Sequence, residues 1–384
     1  MSVTPPDVTL GIVGGGQLGR MVGEAASPLG VETIVLDPTP DCPAAPPAAD
    51  QIVADFDDQS AVRSLAERVD ILTLEIELAD PDALTAVGEA TGTPIHPTPD
   101  DLRMTRDKFK EKRTLDAAGI PVPPYEAVDS AADLRSAFDK LGSPLMLKAR
   151  TGGYDGRGNA VVESVSAAEA AFGSLSGFLA EELVDFEREL SVIGAQGAHE
   201  RRTYPVGENV HEEEILRETL VPARTAASRR DRAEGVAQEV LEVLDGRGVF
   251  GVELFETGSG EILVNEIAPR PHNSGHYTIE GSVTSQFEQH VRAVLGLPLG
   301  STRLREPTAM ANVLGDGTQS RSVALSGVES LLSMDGVNFH WYGKREVRPL
   351  RKLGHVTVTG PDLSSNRKLA VRARETLRFA GGDD

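Results

Sequence analysis

One lysine, one glycine-rich loop and two glutamates carry the strongest chemical signal in this chain. Lys148 ends a short apolar run. Thr151-Gly152-Gly153-Tyr154-Asp155-Gly156-Arg157-Gly158-Asn159 follows, with four glycines in seven residues. Glycine-rich turns let backbone N–H groups approach phosphate oxygens, and Lys148 and Arg157 supply cations beside them. Glu253 and Glu266 stand in two apolar runs joined by Thr257-Gly258-Ser259-Gly260. If residues 258–259 form a two-residue turn, Glu253 faces Val264 and Glu266 faces Gly251. The carboxylates are then diagonal neighbours on one face, roughly 7–8 Å apart at Cα and able to share a Mg²⁺. A three-residue loop would break that parity. Asn265 and Asn273 offer neutral oxygens nearby. The chemistry implied is that of Mg-ATP.

Three further segments bear on function. Gly14-x-Gly16-x-x-Gly19 with Asp37 fits a dinucleotide fingerprint, although a loop at a helix N-terminus accepts other phosphates equally well. Lys344-Arg345-Glu346-Val347-Arg348-Pro349-Leu350-Arg351-Lys352 concentrates positive charge and points to an anion, most simply a phosphate. Ala268-Pro269-Arg270-Pro271-His272-Asn273-Ser274-Gly275-His276 leaves the Glu266 strand as a polar loop suited to substrate contacts. No Ser-His-Asp or Cys-His set and no zinc spacing stands out.

The elements that must position these residues follow from patterning. Apolar runs Val8–Val13, Val31–Leu36, Ile52–Ala54 and Ile71–Leu74 read as strands. They alternate with helical stretches around Met21–Ala26 and Asp58–Arg68, which indicates a parallel α/β unit ending near Thr98. A helix is expected over 100–118, closed by Gly119 and the prolines after it. Ala132–Leu141, Arg229–Asp245 and Thr284–Val294 read as helices. Leu145–Lys148, Ala160–Val162, Val249–Glu256 and Glu261–Ile267 read as strands. Short strand patterns from Ala309 to Val358 indicate a small mixed unit.

Size and charge narrow the class. The 384 residues predict two to three domains, and 40% hydrophobic residues supply a sizeable core. No stretch is long enough to span a bilayer, and Met1–Asp7 lacks the basic patch of a signal peptide. Cys42 is the single cysteine, which excludes a disulfide framework and fits a reducing cytoplasm. A net charge of −21 excludes nucleic-acid binding by bulk electrostatics. Only eight of the 38 basic residues are lysine. Dense carboxylates with scarce lysine indicate a halophilic cytoplasm, where molar salt shortens the Debye length to ~3 Å.

Taken in order, these motifs resemble the ATP-grasp superfamily, and within it the N5-carboxyaminoimidazole ribonucleotide synthase family of purine biosynthesis. The residues that carry the resemblance are Gly15-Gly16-Gln17-Leu18-Gly19-Arg20-Met21, Gly153 to Asn159, Asn265 to His276, and Trp341-Tyr342-Gly343-Lys344 with Arg351-Lys352-Leu353-Gly354-His355. The resemblance implies an α/β and α+β architecture. It would comprise an N-terminal Rossmann-like domain over 1–99, an ATP-grasp domain over 100–300 with a lid at about 120–185, and a small C-terminal mixed domain over 301–384. It implies ATP and Mg²⁺ as cofactors, 5-aminoimidazole ribonucleotide and bicarbonate as substrates, and a homodimer.

The resemblance also assigns roles. Lys108 and Lys148 would contact ATP phosphates, Lys108 standing where the family usually has arginine. Gly153, Tyr154, Asp155, Gly156, Arg157, Gly158 and Asn159 would close over them, Asn159 replacing the usual glutamine. Glu181, Glu182, Leu183 and Val184 would form the adenine hinge through backbone groups, and Glu189 would hold the ribose. His211 would approach the phosphates or carboxyphosphate. Glu253 and Glu266 would bind Mg²⁺ with Asn265 beside them. Gln17, Leu18, Glu75, Tyr154, Asp155, Arg157, Arg270 and Asn273 would line the ribonucleotide site, and Lys344, Arg351 and Lys352 would hold its phosphate. Tyr154, Asp155, Arg157, His211 and Glu75 are the expected catalytic set, with Glu75 chosen over Glu77. Gln196 departs from the pattern, standing where an arginine is expected.

Three other readings compete with this one. A formate-dependent glycinamide ribonucleotide transformylase would share the fold and the metal pair. An NAD(P)-dependent oxidoreductase would rest on Gly14–Gly19 and Asp37. A non-catalytic nucleotide-binding regulator would leave the candidate catalytic residues without a task.

Overall fold

A computed structural model describes residues 5–152 and 158–380. The N-terminal strands form a parallel sheet in the order Asp50–Ile52, Val31–Leu36, Val8–Val13, Ile71–Leu74. The third strand by sequence therefore lies two residues earlier than Ile52–Ala54. The three inner strands, Val31–Leu36, Val8–Val13 and Ile71–Leu74, are largely buried and rich in branched apolar residues, as parallel strands must be, while Asp50–Ile52 forms a more exposed, polar edge. One face is closed from far downstream: Leu10, Ile12 and Val22 pack with Phe287, Val291 and Leu295 of helix Gln286–Leu295 and with Tyr342.

The helix expected over 100–118 is two helices, Pro99–Thr105 and Lys108–Ala117. Asp107 is extended, and its carboxylate accepts the amides of Phe109 and Lys110. This N-cap restarts the helix, so that Lys108 opens a first turn whose side chains face the cleft. Helix Pro81–Thr91, which the patterning did not reveal, is likewise announced by Asp80 as cap and a proline at its first position.

The lid is a four-stranded antiparallel sheet in the order Tyr125–Val128, Phe178–Glu182, Leu145–Ala149, Asn159–Val162. Helices Ala131–Leu141 and Val165–Phe172 cover it over a core that includes Leu134, Leu145 and Leu147. Residues 183–185 lead from it into the long strand Phe186–Gln196 of the central sheet.

That central sheet is antiparallel. Its order is Ile262–Ala268, Gly248–Thr257, Phe186–Gln196, Gly207–Glu212, Ile215–Val221, Thr308–Leu314, Lys352–Thr359, Val337–Trp341. The last three strands come from the C-terminal segment, so the basic 344–352 stretch hangs from the same sheet as the Glu253/Glu266 hairpin. Helix Ala227–Glu242 buries one sheet face with Val252, Leu254 and Val264. No helix among the described residues is long and apolar enough to cross a membrane.

Candidate active site

The hairpin differs from the two-residue turn anticipated. Thr257 N–H donates to Glu261 O and Gly260 N–H to Thr257 O, so the loop is 258–260, with Gly260 at φ +84°. Glycine takes that left-handed conformation without steric cost. The three-residue loop shifts the register, and Leu254 faces Val264. A second shift compensates. Between Leu254 and Glu253 the partner jumps from Val264 to Glu266, leaving Asn265 as the extra residue of a β-bulge. Glu253 and Glu266 are therefore directly opposite rather than diagonal, and Asn265 joins their face.

Three lysines meet this bulge. Lys108 Nζ lies 2.5 Å from Glu266 Oε2. Lys148 Nζ donates to Asn265 Oδ1 at 3.1 Å and pairs with Glu181 at 2.6 Å. Lys112, 1% exposed, pairs with Glu181 at 3.1 Å and donates to Val264 O at 2.8 Å. The Glu181 side chain is thus a buried bridge between two ammonium groups, a role beyond the backbone hinge expected of it. Burial opposes its charge, but Lys112 and Lys148 hold it down at about 2. Lys112 was not singled out in the sequence. Its signal was the spacing i, i+3, i+4 of Lys108, Glu111 and Lys112, which places all three on one helix face.

The carboxylate pair has the properties of a cation site. Burial, then the Glu266 charge, push Glu253 up to about 7. The Lys108 ammonium holds Glu266 down at about 2, and Glu266 stays 41% exposed toward the cleft. Two facing carboxylates with an adjacent amide oxygen form a hard-oxygen donor set that fits Mg²⁺. His272 Nε2 sits 3.3 Å from Glu253 Oε1, and Gln286 grips the His272 backbone through both its N–H and its C=O. Glu189 and His211 face each other in direct contact on the same side. Burial works against the imidazolium of His211, yet Glu189 outweighs it and raises its pKa. Among the described residues, Asn159 Oδ1 is buried and has no partner, which leaves an acceptor for a ligand. Gly153, Tyr154, Asp155, Gly156 and Arg157 lie outside the described residues.

The first glycine loop is occupied by the protein itself. Gly15 N–H donates to Asp37 Oδ2 at 2.8 Å, Gly16 N–H to Glu75 Oε1 at 2.6 Å, and Gly19 N–H to Glu75 Oε2 at 3.0 Å. The amides that would hold a pyrophosphate are spent on two carboxylates, and Asp37 is turned away from a ribose role. A Cβ at Gly16 would come 2.6 Å from Glu75 Oε1, so glycine there serves the close approach of Glu75. NADH is accordingly expected to leave the melting temperature unchanged, whereas ATP with Mg²⁺ raises it. An NADH-induced rise would contradict this geometry.

The same arrangement gives several of the expected residues structural partners. Glu75 is 7% exposed with both oxygens committed, so it positions the loop. Glu77 is the more open carboxylate and pairs with Arg270 at 2.8 Å. The Leu18 side chain belongs to the core, which leaves its backbone for any ligand, while Gln17 is half-buried. Gln196 is also structural: its amide donates to Leu244 O and Gly246 O, and its oxygen accepts from Arg201.

On the other wall, Asn273 and Asn312 exchange amide hydrogen bonds at 3.2 and 2.6 Å. Lys344 Nζ donates to Lys352 O at 2.7 Å and stands 5.7 Å from the Tyr342 ring centroid. Arg351 donates to Glu346 O. The Lys352 charge reaches both His211 and Glu253, which places the basic segment near the facing carboxylates. Lys108, Lys148, Asn265, Glu266, Glu253, His211 and Glu189 thus converge. The segment from Glu182 to Val184 borders them at the lid junction, and Arg270 lies close enough for the Glu266 charge to act on it.

Acid stability follows from these groups. Burial lowers His96 to about 4 and His290 to about 3, and lowers His276 and His355 as well. Val249 N–H donates to His290 Nδ1, a bond that protonation breaks. Histidines with depressed folded pKa values lose stability as pH falls below 6.5. Glu253 and Glu111, raised to about 7 and about 8, offset this by gaining protons in the folded state first. Below about 4.5 that offset is exhausted, Glu181 and Glu266 add their loss, and each net proton costs about 1.4 kcal/mol per pH unit. Four such histidines outnumber the two glutamates, so melting temperature is expected to fall gently from pH 6.5 to 4.5 and steeply below. A flat profile down to pH 3 would contradict the assignment.

Three family models match the chain: a ribonucleotide synthetase preATP-grasp domain over 8–106, an ATP-grasp domain over 113–287, and a phosphoribosylaminoimidazole carboxylase C-terminal domain over 308–368. The chain is 40% identical over 361 residues to the N5-carboxyaminoimidazole ribonucleotide synthase of Brucella melitensis, covering 93% of this chain and 97% of that one. It is 41% identical to the chloroplastic phosphoribosylaminoimidazole carboxylase of Vigna aconitifolia over 94% of this chain, and spans 65% of that relative's length. Among solved structures it is similar to N5-carboxyaminoimidazole ribonucleotide synthetase from Thermotoga maritima, with 42% identity, TM-score 0.88 and coverage of 97% and 99%. It is also similar to the Aspergillus clavatus synthase in complex with ADP and 5-aminoimidazole ribonucleotide, with 35% identity, TM-score 0.88 and coverage of 96% and 98%.

Proposed function

This chain belongs to the N5-carboxyaminoimidazole ribonucleotide synthase family, and from that premise we propose that it carboxylates 5-aminoimidazole ribonucleotide with ATP and bicarbonate. The observation that supports this most directly is the convergence of Lys108, Lys148, Glu253 and Glu266 on one cleft between lid and central sheet. A bicarbonate oxygen attacks the γ-phosphorus, the bond to ADP breaks, and carboxyphosphate forms. The aminoimidazole amine then attacks its carboxyl carbon, and phosphate leaves as the amine gives up a proton. Such phosphoryl transfer asks for positioning and charge neutralisation.

Lys108 and Lys148 neutralise phosphate charge in this reading, and His211 stands at the transferred group. Glu189 orients His211 and takes the ribose hydroxyls. When bound between Glu253 and Glu266, Mg²⁺ would supply the remaining positive charge at the phosphates. In this reading the loop Gly153–Asn159 would cover the phosphates, and Tyr154, Asp155 and Arg157 would serve the acceptor. Gln17, the Leu18 backbone, Arg270 and Asn273 take the ribonucleotide, and Lys344, Arg351 and Lys352 take its phosphate. Residues 1–99 and 301–384 then supply the acceptor's walls, and 100–300 the nucleotide's.

The test is ADP release in molar KCl. Turnover is expected with aminoimidazole ribonucleotide plus bicarbonate and none with glycinamide ribonucleotide plus formate. The reverse outcome replaces this assignment with the transformylase. The 59 acidic residues and eight lysines support a halophilic archaeal cytoplasm as the setting. There, melting temperature and turnover should both rise as KCl increases toward molar levels, and a fall in both would refute it. The family resemblance supports a homodimer, which light scattering after gel filtration would report as twice the chain's mass.

A further inference from the structure

Helix Lys108–Ala117 touches the edge strand Ile262–Ala268 through two side chains besides Lys108. Lys112 Nζ donates to Val264 O at 2.8 Å. Glu111 Oε2 accepts from Ile267 N–H at 3.1 Å. Both residues are 1% exposed. Ile262–Ala268 ends the central sheet, so one side of its backbone has no neighbouring strand.

In a regular edge strand the outward backbone groups belong to every second residue, here 264, 266 and 268. The groups held by the helix belong to Val264 and Ile267, three residues apart. That spacing exists only when an extra residue, Asn265, is inserted between them. Val264 N–H is itself taken by Pro121 O at 2.8 Å, so both backbone groups of Val264 and the N–H of Ile267 are engaged on the outward side of the bulge. A buried charged side chain is costly unless its hydrogen bonds are met, and Lys112 meets its own through Val264 O and Glu181 on the bulged register.

We propose that Glu111 and Lys112 are positioning residues that select the bulged register, and with it the direct opposition of Glu253 and Glu266 and the aim of Lys148. Lys112 acts twice: on Val264 O, and through Glu181, whose second oxygen holds Lys148 at 2.6 Å. Loss of Lys112 lets the strand slip to the unbulged pairing, in which Glu253 faces residue 265 and Glu266 turns to the opposite face. This inference rests on the metal-pair reading above.

The test compares wild type with Lys112→Met, which keeps the aliphatic volume and removes both donors. Mn²⁺ binding in the presence of ADP is read by electron paramagnetic resonance, alongside steady-state kinetics. The expected result is about 10–100-fold weaker Mn²⁺ binding and a similar loss in kcat, the range for residues that orient metal ligands. The KM for aminoimidazole ribonucleotide should stay within about twofold, since uniform binding of the acceptor is untouched. Glu111→Gln, which keeps an oxygen for Ile267 N–H, should bind Mn²⁺ as wild type does. A merely structural residue would lower the melting temperature and leave Mn²⁺ affinity of the folded protein unchanged, and that outcome overturns the proposal.

If Lys112→Met does not fold, Lys112→Gln decides. Its shorter amide leaves Glu181 with one cation, so weakened Mn²⁺ binding is again expected and wild-type affinity refutes it. The Mn²⁺ measurement does not need turnover. Absence of aminoimidazole-dependent activity in the wild type would therefore strike the proposed reaction and not this inference.

Discussion

Replacing Glu266 by alanine should lower kcat by about a thousandfold while leaving a folded protein. Two contributions add. The variant removes one of two facing carboxylates that would bind the cation, a contribution of several kcal/mol to a phosphoryl transition state. It also frees Lys108, which Glu266 holds at 2.5 Å. A thousandfold is about 4 kcal/mol at 1.36 kcal/mol per decade. The stability cost is small by comparison, because Glu266 is 41% exposed and its pair with Lys108 is partly screened. Its removal also relieves the repulsion that raises Glu253. Steady-state ADP release with far-ultraviolet circular dichroism checks both halves. Unchanged ADP release in a folded Glu266→Ala variant would support a non-catalytic nucleotide-binding role instead.

The largest stability effect is expected at Glu181. Its carboxylate is buried between Lys112 and Lys148, at 3.1 and 2.6 Å. Alanine there strands two buried ammonium groups, and breaking a buried ion pair in this way costs about 3–5 kcal/mol. Lys148 also loses the anchor that aims it at Asn265, so activity is expected to fall with stability. Urea unfolding should show a lower midpoint with little change in slope. A wild-type midpoint would show that the carboxylate is dispensable and would return Glu181 to a backbone role alone.

Both variants touch features that the sequence disclosed unequally. The parallel unit and the strand pair around Glu253 and Glu266 were legible because buried strands are written as apolar, branched runs. Their relative register was not. It depends on a three-residue loop closed by Gly260 at φ +84° and on a bulge whose outward groups are met by Pro121, Glu111 and Lys112, all more than a hundred residues away. Local spacing holds no trace of such partners. Helix Lys108–Ala117 was expected only as the end of a single helix over 100–118. Asp107 breaks that helix and sets the phase that turns Lys108, Glu111 and Lys112 toward the Glu253/Glu266 hairpin.

The glycine fingerprint at Gly14–Gly19 shows the opposite failure. Its pattern was visible, but what occupies it was not, since Asp37 and Glu75 arrive from the ends of neighbouring strands. Glu75 was favoured over Glu77 for its place at a strand end, and that same place buries it. The basic 344–352 stretch was legible as a concentration of positive charge. Its attachment beside Glu253 and Glu266 was not, because it depends on Thr308–Leu314 joining Ile215–Val221 in the central sheet.

The most direct test of the central claim follows the oxygen. In ¹⁸O-labelled bicarbonate the attacking oxygen becomes the bridge of carboxyphosphate and leaves with phosphorus when the amine takes the carboxyl group. Turnover with aminoimidazole ribonucleotide, ATP and labelled bicarbonate should yield phosphate carrying one bicarbonate oxygen, read by ³¹P nuclear magnetic resonance. Phosphate free of label in a reaction that still releases ADP would contradict it.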